Sequence, residues 1–110
     1  MNEGRVRILF QGDSITDAFR RPEEVNPAFQ LGNGYAFLVS AKLAMEHPAK
    51  FSFFNRGISG HTVQDLSARW EQDAMALSPD VLSLLVGVNN TIREMIGEAS
   101  VSLSAFEDEY

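Results

Sequence analysis

Three short stretches carry the residue types that could do chemistry. They are Ser14 in Gly12-Asp13-Ser14-Ile15-Thr16, Gly60 in Asn55-Arg56-Gly57-Ile58-Ser59-Gly60, and Asn89 in Gly87-Val88-Asn89-Asn90. A serine hydroxyl becomes a nucleophile when a base and an oxyanion site stand nearby. The backbone N–H groups of Ser14 and Gly60 could face such an oxyanion, and a glycine leaves room for close approach. The Asn89 amide could add a side-chain donor. The three residues are far apart in sequence, so the elements around them must bring them together.

Those elements alternate. Val6–Phe10 is an apolar run that stops at the Gly-Asp-Ser turn and reads as a first strand. Arg20 to Asn33 contains Pro22, Pro27 and Gly32 and reads as a loop. Tyr35–Glu46 reads as a helix whose apolar face is Tyr35, Leu38, Val39 and Leu43. His47-Pro48 ends it, because a residue before proline avoids the α region. Phe51–Phe54 is a second strand and Arg56 to Gly60 a turn. Thr62 with Asp65 has the spacing of a capping box, opening a helix with Val63, Leu66, Trp70 and Leu77 on its buried face. Ser78-Pro79-Asp80 stops that helix. Val81–Val86 is almost continuously apolar, as expected of a central parallel strand. Gly87 to Asn90 is a further turn.

The β-α-β-α-β order predicts an α/β fold with a parallel sheet and helices on its faces. In such a sheet the strand ends that carry Ser14, Gly60 and Asn89 share one edge, which is where ligands bind. Ser104-Ala105-Phe106-Glu107 also has capping-box spacing, so a helix is expected to open at Ser104, with Glu107-Asp108-Glu109 in its solvated first turns. Three strands with open edges leave much of the sheet unpaired. Residues 1–110 are therefore expected to be the N-terminal part of a single domain. A domain swap or a partner chain completing the sheet is the less favoured account.

Composition narrows the function. The chain has 110 residues, a net charge of −6 and no cysteine. The acidic balance speaks against a nucleic-acid or anionic-membrane surface, since both attract Lys/Arg clusters. Without cysteine there are no disulfides or thiolate metal sites. No apolar run approaches spanning length and no secretory signal is evident, so the expected location is the cytoplasm.

The three blocks together resemble the SGNH (GDSL-type) hydrolases in order and spacing. Gly60-His61-Thr62-Val63-Gln64-Asp65-Leu66 and Arg69-Trp70 are similar to the branch of bacterial serine acetylxylan esterases. The resemblance implies a three-layer α/β/α sandwich with a flavodoxin-like parallel sheet. It implies Ser14 as nucleophile and backbone oxyanion donor, Gly60 as second backbone donor and Asn89 as side-chain donor. Asp13 would organise the loop. The implied activity is hydrolysis of small acyl esters, acetyl above all, on a carbohydrate or other small molecule. That chemistry uses no metal or organic cofactor, and it leaves a homo-oligomer open.

Two positions depart from the family pattern. The family draws its catalytic Asp and His from an Asp-x-x-His block, and neither His47 nor His61 follows an Asp by three positions. These 110 residues alone are therefore expected to lack full activity. Asn90 also stands where the family has Asp, keeping one acceptor oxygen but losing the charge. Both departures motivate an alternative, an SGNH-fold binding module with impaired catalysis. A phosphate or nucleotide binder using the Gly12–Thr16 turn ranks last, for want of a glycine-rich loop with a lysine.

Plainer roles are expected elsewhere. His61 reads as a solvent-facing loop residue and not the base. His47 reads as a helix C-terminal histidine. Trp70 reads as core, Gly57 as turn chemistry, and Asp17 and Arg93 as surface ion-pair partners.

Overall fold

The computed structural model describes residues 4–97 and 103–110. Its centre is a parallel sheet of β1 (Val6–Gly12), β2 (Phe51–Asn55) and β3 (Val81–Leu85), in the order β2-β1-β3. Ile8 lies opposite both Phe53 and Val81. β1 is paired on both sides, and its residues Ile8 to Gly12 are buried. The expected central strand, Val81–Val86, is instead at an edge among the described residues. Val81, Leu82 and Leu85 are 48%, 41% and 44% exposed. An apolar run reports burial on both faces, which an edge strand can also require, so it does not fix strand order.

Side-chain alternation along β1 splits the helices between the two faces. Ile8 and Phe10 form a core with Ala36 of α3 (Tyr35–Glu46), joined by Val6, Tyr35, Leu43 and Phe53. The Phe10 and Tyr35 rings meet edge to face at 5.9 Å. On the other face, Arg7 Nε donates to the Leu77 carbonyl at 2.8 Å and Gln11 Nε2 to the Asp73 carbonyl at 2.9 Å. The result is the three-layer arrangement, with the flavodoxin-like order at the strands present. From β1 the chain moves first to one neighbour and then across to the other. The C-terminal end of β1 is therefore the point where the strand order reverses, which in open α/β sheets faces a ligand crevice.

Several expectations are corrected in detail. The buried positions of α3 are Ala36 and Ser40, while Leu38 and Val39 are 65% and 41% exposed. Small residues let the helix sit close to the sheet, and apolar periodicity alone placed the face too far round. The helix expected from Thr62 to Leu77 is broken into α4 (Val63–Ala68), α5 (Trp70–Asp73) and a 3₁₀ turn at Met75–Leu77. The break is at Arg69, which leaves helical geometry at φ −112°, ψ 12°. The loop from Arg20 to Asn33 holds a one-turn helix, α2 (Pro27–Gln30), capped by Asn26.

Asn89 and Asn90 lie not in a turn but in the opening of α6 (Val88–Met95). An Asn-Asn pair after glycine favours a turn locally, and tertiary bonds to Asn90 override that preference. The final helix, α7 (Leu103–Glu109), contains Ser104 within its first turn, so Ser104 is not its cap. Glu107, Asp108 and Glu109 consequently fall in the last turn, where they are exposed. The capping box at Thr62–Asp65 and the C-cap at His47 stand as read.

Candidate active site

The turn after β1 is built by Asp13. Its side chain is buried, and Oδ1 accepts from the Ile15 N–H at 3.0 Å, capping α1 (Ser14–Asp17). Ser14 is the first residue of that helix and is exposed. Its hydroxyl forms no hydrogen bond among the described residues. Its N–H belongs to the first turn, which a helix cannot satisfy internally.

The turn after β2 is drawn against α1. Asn55 is 2% exposed, and its side chain bonds three backbone groups in the surrounding loops and turns. Nδ2 donates to the carbonyls of Thr16 at 2.7 Å and Leu31 at 2.8 Å, and Oδ1 accepts from the Gly57 N–H at 2.9 Å. Gly57 is more than turn chemistry. A Cβ there would stand 2.5 Å from the Asp17 backbone nitrogen, so only glycine permits this approach. Asp17 Oδ2 then accepts from the N–H and the hydroxyl of Ser59, at 3.1 and 3.0 Å. Its Oδ1 pairs with Arg20 Nε at 3.5 Å. Gly60 follows at φ +84°, with open space where a Cβ would be. Its N–H has no partner among the described residues.

The start of α6, which follows β3, is pinned to the same loop. Asn89 Nδ2 donates to the His61 carbonyl at 3.0 Å. Arg93 Nη2 donates to the Gly60 carbonyl at 3.2 Å. Arg93 therefore holds the peptide after Gly60, and no ion pair of Arg93 is found among the described residues. Asn90 is 4% exposed. Its Oδ1 accepts from the Val63 N–H at 2.9 Å and its Nδ2 donates to Gln64 Oε1 at 2.8 Å. The single acceptor oxygen that asparagine retains is thus the one in use at the N-terminus of α4.

Arg69 joins all of this from below. Its Nε donates to His61 Nδ1 at 3.1 Å, Nη1 to the Arg56 carbonyl at 2.8 Å and Asp73 Oδ2 at 3.1 Å, and Nη2 to the Gly12 carbonyl at 3.3 Å. One guanidinium therefore spans the ends of β1 and β2. Since His61 Nδ1 is an acceptor, the ring proton of the neutral form sits on Nε2. His61 is half-buried and not solvent-facing. Burial, and next the Arg69 charge, hold its pKa below the usual histidine value. Arg20, desolvated by burial and only partly compensated by Asp17, is also lowered. Asp65 is lowered too: its burial acts the other way, but the Thr62 hydrogen bonds and the charges of His61 and Arg93 outweigh it.

Sequence reading proposed Ser14, Gly60 and Asn89; the structure sets Ser14 at the start of α1, Gly60 in the turn after β2 and Asn89 in the first turn of α6, three segments tied to one another by side chains. It passed over Asn55, Arg69 and Arg93 as positioning groups. The signal for Asn55 was a polar residue closing an apolar strand; for Arg69 and Arg93 no local pattern marks the role. Trp70 borders a cavity of about 430 Å³ with Val63, Leu66, Leu84 and Tyr110. None of the three proposed residues lines it. Among the described residues no group of His, Cys, Asp and Glu could hold a metal ion. No helix among them is long and apolar enough to cross a membrane.

The strand order β2-β1-β3, with helices on both faces, is that of the SGNH/GDSL fold, and an exposed serine stands just beyond its first strand. The pattern of the GDSL-like lipase/acylhydrolase family matches residues 10–106, and the chain belongs to that family. It is 44% identical over 90 residues to an acetylxylan esterase of Geobacillus stearothermophilus, covering 80% of this chain and 41% of that protein. The solved structure of an acetylxylan esterase from the same organism superposes with a TM-score of 0.85 at 38% identity, over 99% of this chain and 53% of that one. Catalytic mutants of that enzyme, with alanine for a serine, an aspartate or a histidine, superpose at 0.85 to 0.86. The chain spans about half the length of these relatives.

Proposed function

We propose that the full-length protein is a serine esterase that removes small acyl groups, acetyl foremost, from a carbohydrate. The observation that supports this reading is the cross-linking of the three segments that follow the strands: Ser59 bonds Asp17 and Asn89 bonds the His61 carbonyl, while the N–H groups of Ser14 and Gly60 and one amide N–H of Asn89 have no partner among the described residues.

Ser14 Oγ would attack the ester carbonyl carbon and lose its proton to a histidine base. The carbonyl oxygen would take the negative charge between the N–H groups of Ser14 and Gly60 and the Asn89 amide. Such donors, fixed before the reaction, are usually the largest single contribution to acyl transfer. Collapse breaks the ester C–O bond, the sugar hydroxyl leaves with the proton, and water then releases acetate from the acyl-serine. The base and its aspartate are assigned to the portion of the protein outside these 110 residues. The Geobacillus enzyme, whose catalytic mutants include an aspartate and a histidine, supports that assignment. His61 is a poor candidate for the base, because its Nδ1 is occupied by Arg69.

The binding-module alternative loses one of its two motives, because the Asn90 amide is held on both sides. Acetate release from acetylated xylooligosaccharides, measured for the full-length protein and its Ser14→Ala variant, tests the proposal. Release that depends on Ser14 supports it. No release from any acetylated sugar, with Ser14-dependent cleavage of other esters, removes the carbohydrate assignment.

A further inference from the structure

Immediately beyond α1 the backbone enters a region that L-residues avoid. Ala18 and Phe19 are both left-handed, at φ 43° and 61°. For a bulky side chain this is an outlier that persists only where the surroundings impose it, and such outliers concentrate at ligand clamps and active sites. Here the surroundings do impose it. The Ala18 N–H donates to the Ser14 carbonyl and the Asn33 N–H to the Ala18 carbonyl, both at 2.9 Å. The Arg21 N–H donates to the Phe29 carbonyl at 2.7 Å.

The strained backbone gains no core contact for Phe19, whose residue is 86% exposed. Phe19 and Phe29, the latter 49% exposed, line one cavity of about 440 Å³ together with Arg20, Arg21 and Asn33. The Arg21 guanidinium lies 5.6 Å from the centre of the Phe29 ring. The Asn33 side-chain amide has no hydrogen bond among the described residues. Exposed aromatic faces beside planar polar groups suit a ring with an apolar C–H face and hydroxyls at its rim. A plain acyl chain would leave the polar groups unpaired. An anion would find Arg20 and Arg21 already facing Asp17 and Glu24. Ser14 does not line this cavity; the Ala18 N–H bond to the Ser14 carbonyl sets the cavity one helical turn along α1 from the proposed nucleophile.

We propose that the Phe19–Phe29 cleft is a sugar-binding subsite, holding a ring of the carbohydrate whose ester reaches Ser14. The substrate class rests on the esterase reading; the cleft itself does not.

The test uses the full-length protein with Phe19→Ala and Phe19→Tyr. One measurement is the KM for acetylated xylotriose relative to that for p-nitrophenyl acetate, which carries no sugar. Phe19→Ala should raise this ratio roughly three- to tenfold, the scale of one aromatic contact, and Phe19→Tyr should largely restore it. An unchanged ratio overturns the subsite, because a merely structural role would move both substrates alike. The second measurement is xylotriose binding to the Ser14→Ala variant by calorimetry. Binding that Phe19→Ala weakens supports the subsite, even if no acetate release is found and the esterase reading falls. Absence of binding, or binding indifferent to Phe19, overturns the subsite, even if Ser14-dependent acetate release stands.

Discussion

The side-chain amide of Asn89 is fastened to the main chain at His61, donating to that carbonyl across 3.0 Å. Only the nitrogen end of an amide can face a carbonyl, so the bond fixes which way the side chain points. It also spends one of the two N–H groups and leaves the other. The residue before His61 is Gly60, whose carbonyl is held by Arg93 and whose N–H is free among the described residues. Two of the three proposed oxyanion donors are thus positioned through the same two residues, Gly60 and His61.

This predicts the signature of Asn89→Ala in the full-length protein. The variant should lose on the order of a hundred- to a thousandfold in kcat, with KM for a small acetyl ester changed far less. Steady-state kinetics check it. A loss confined to KM would mean that Asn89 binds substrate without stabilising the charged intermediate.

Arg69 is predicted to act through others. It holds the Gly12 carbonyl next to the Ser14 turn and the Arg56 carbonyl and His61 next to Gly60. Arg69→Met should lower kcat on the order of tenfold to a hundredfold, the effect of small misplacements in a reacting site. Arg69→Lys should recover only part of it, because an ammonium cannot reproduce the planar fork. The same Met variant should raise the His61 pKa, which nitrogen-detected NMR titration reads. Kinetics unchanged in both variants would contradict the role.

What the sequence made legible was local. Strand starts at Val6, Phe51 and Val81, the Thr62–Asp65 capping box and the stop at His47-Pro48 depend on neighbouring residues and match the structure, while each strand ends one or two residues from where the apolar run stops. What it concealed was set by contacts between distant residues. The first turn of α6 is fixed by Asn90 on Val63 and Gln64, against the turn preference of an Asn-Asn pair. The break at Arg69 answers to acceptors on two other segments. The left-handed Phe19 depends on Asn33 across the loop. The place of Ser14, Gly60 and Asn89 at one edge could be read because parallel strands align their ends. That a buried Asn55 would pull two of the turns together could not.

His61 supplies a pH dependence. Its pKa in the folded state is depressed, by burial first and by Arg69 next. The unfolded chain therefore binds more protons near the ordinary histidine value of about 6.5, and stability from this group is present above that pH. It is lost as pH falls from there towards the lower folded value. Denaturant midpoints should fall between pH 7 and pH 5, and fall less in His61→Gln. A His61 signal titrating above the ordinary value would reverse the sign and contradict this account.

Asn90 yields a prediction that is close to silence. Asn90 donates to Gln64 Oε1, and Gln64 Nε2 is buried without a partner. An aspartate at this position could still accept from the Val63 N–H, and a rotated Gln64 amide could give it the orphaned donor. Asn90→Asp should therefore change unfolding free energy by no more than about 1 kcal/mol, while Asn90→Leu, which strands the Val63 N–H, should cost about 1–3 kcal/mol. Urea unfolding of the two variants decides. Equal losses in both would mean the amide pair does not hold this corner.

The central claim is that Ser14 is the acyl-accepting nucleophile. Treating the full-length protein with a p-nitrophenyl phosphonate ester and mapping the modified peptide by mass spectrometry tests it most directly. The account predicts a single phosphonyl group on the Ser14 hydroxyl, with acetate release lost in step with labelling and no label on Ser14→Ala. Stoichiometric inactivation with the adduct on any other residue, or acetate release undiminished in Ser14→Ala, would contradict it.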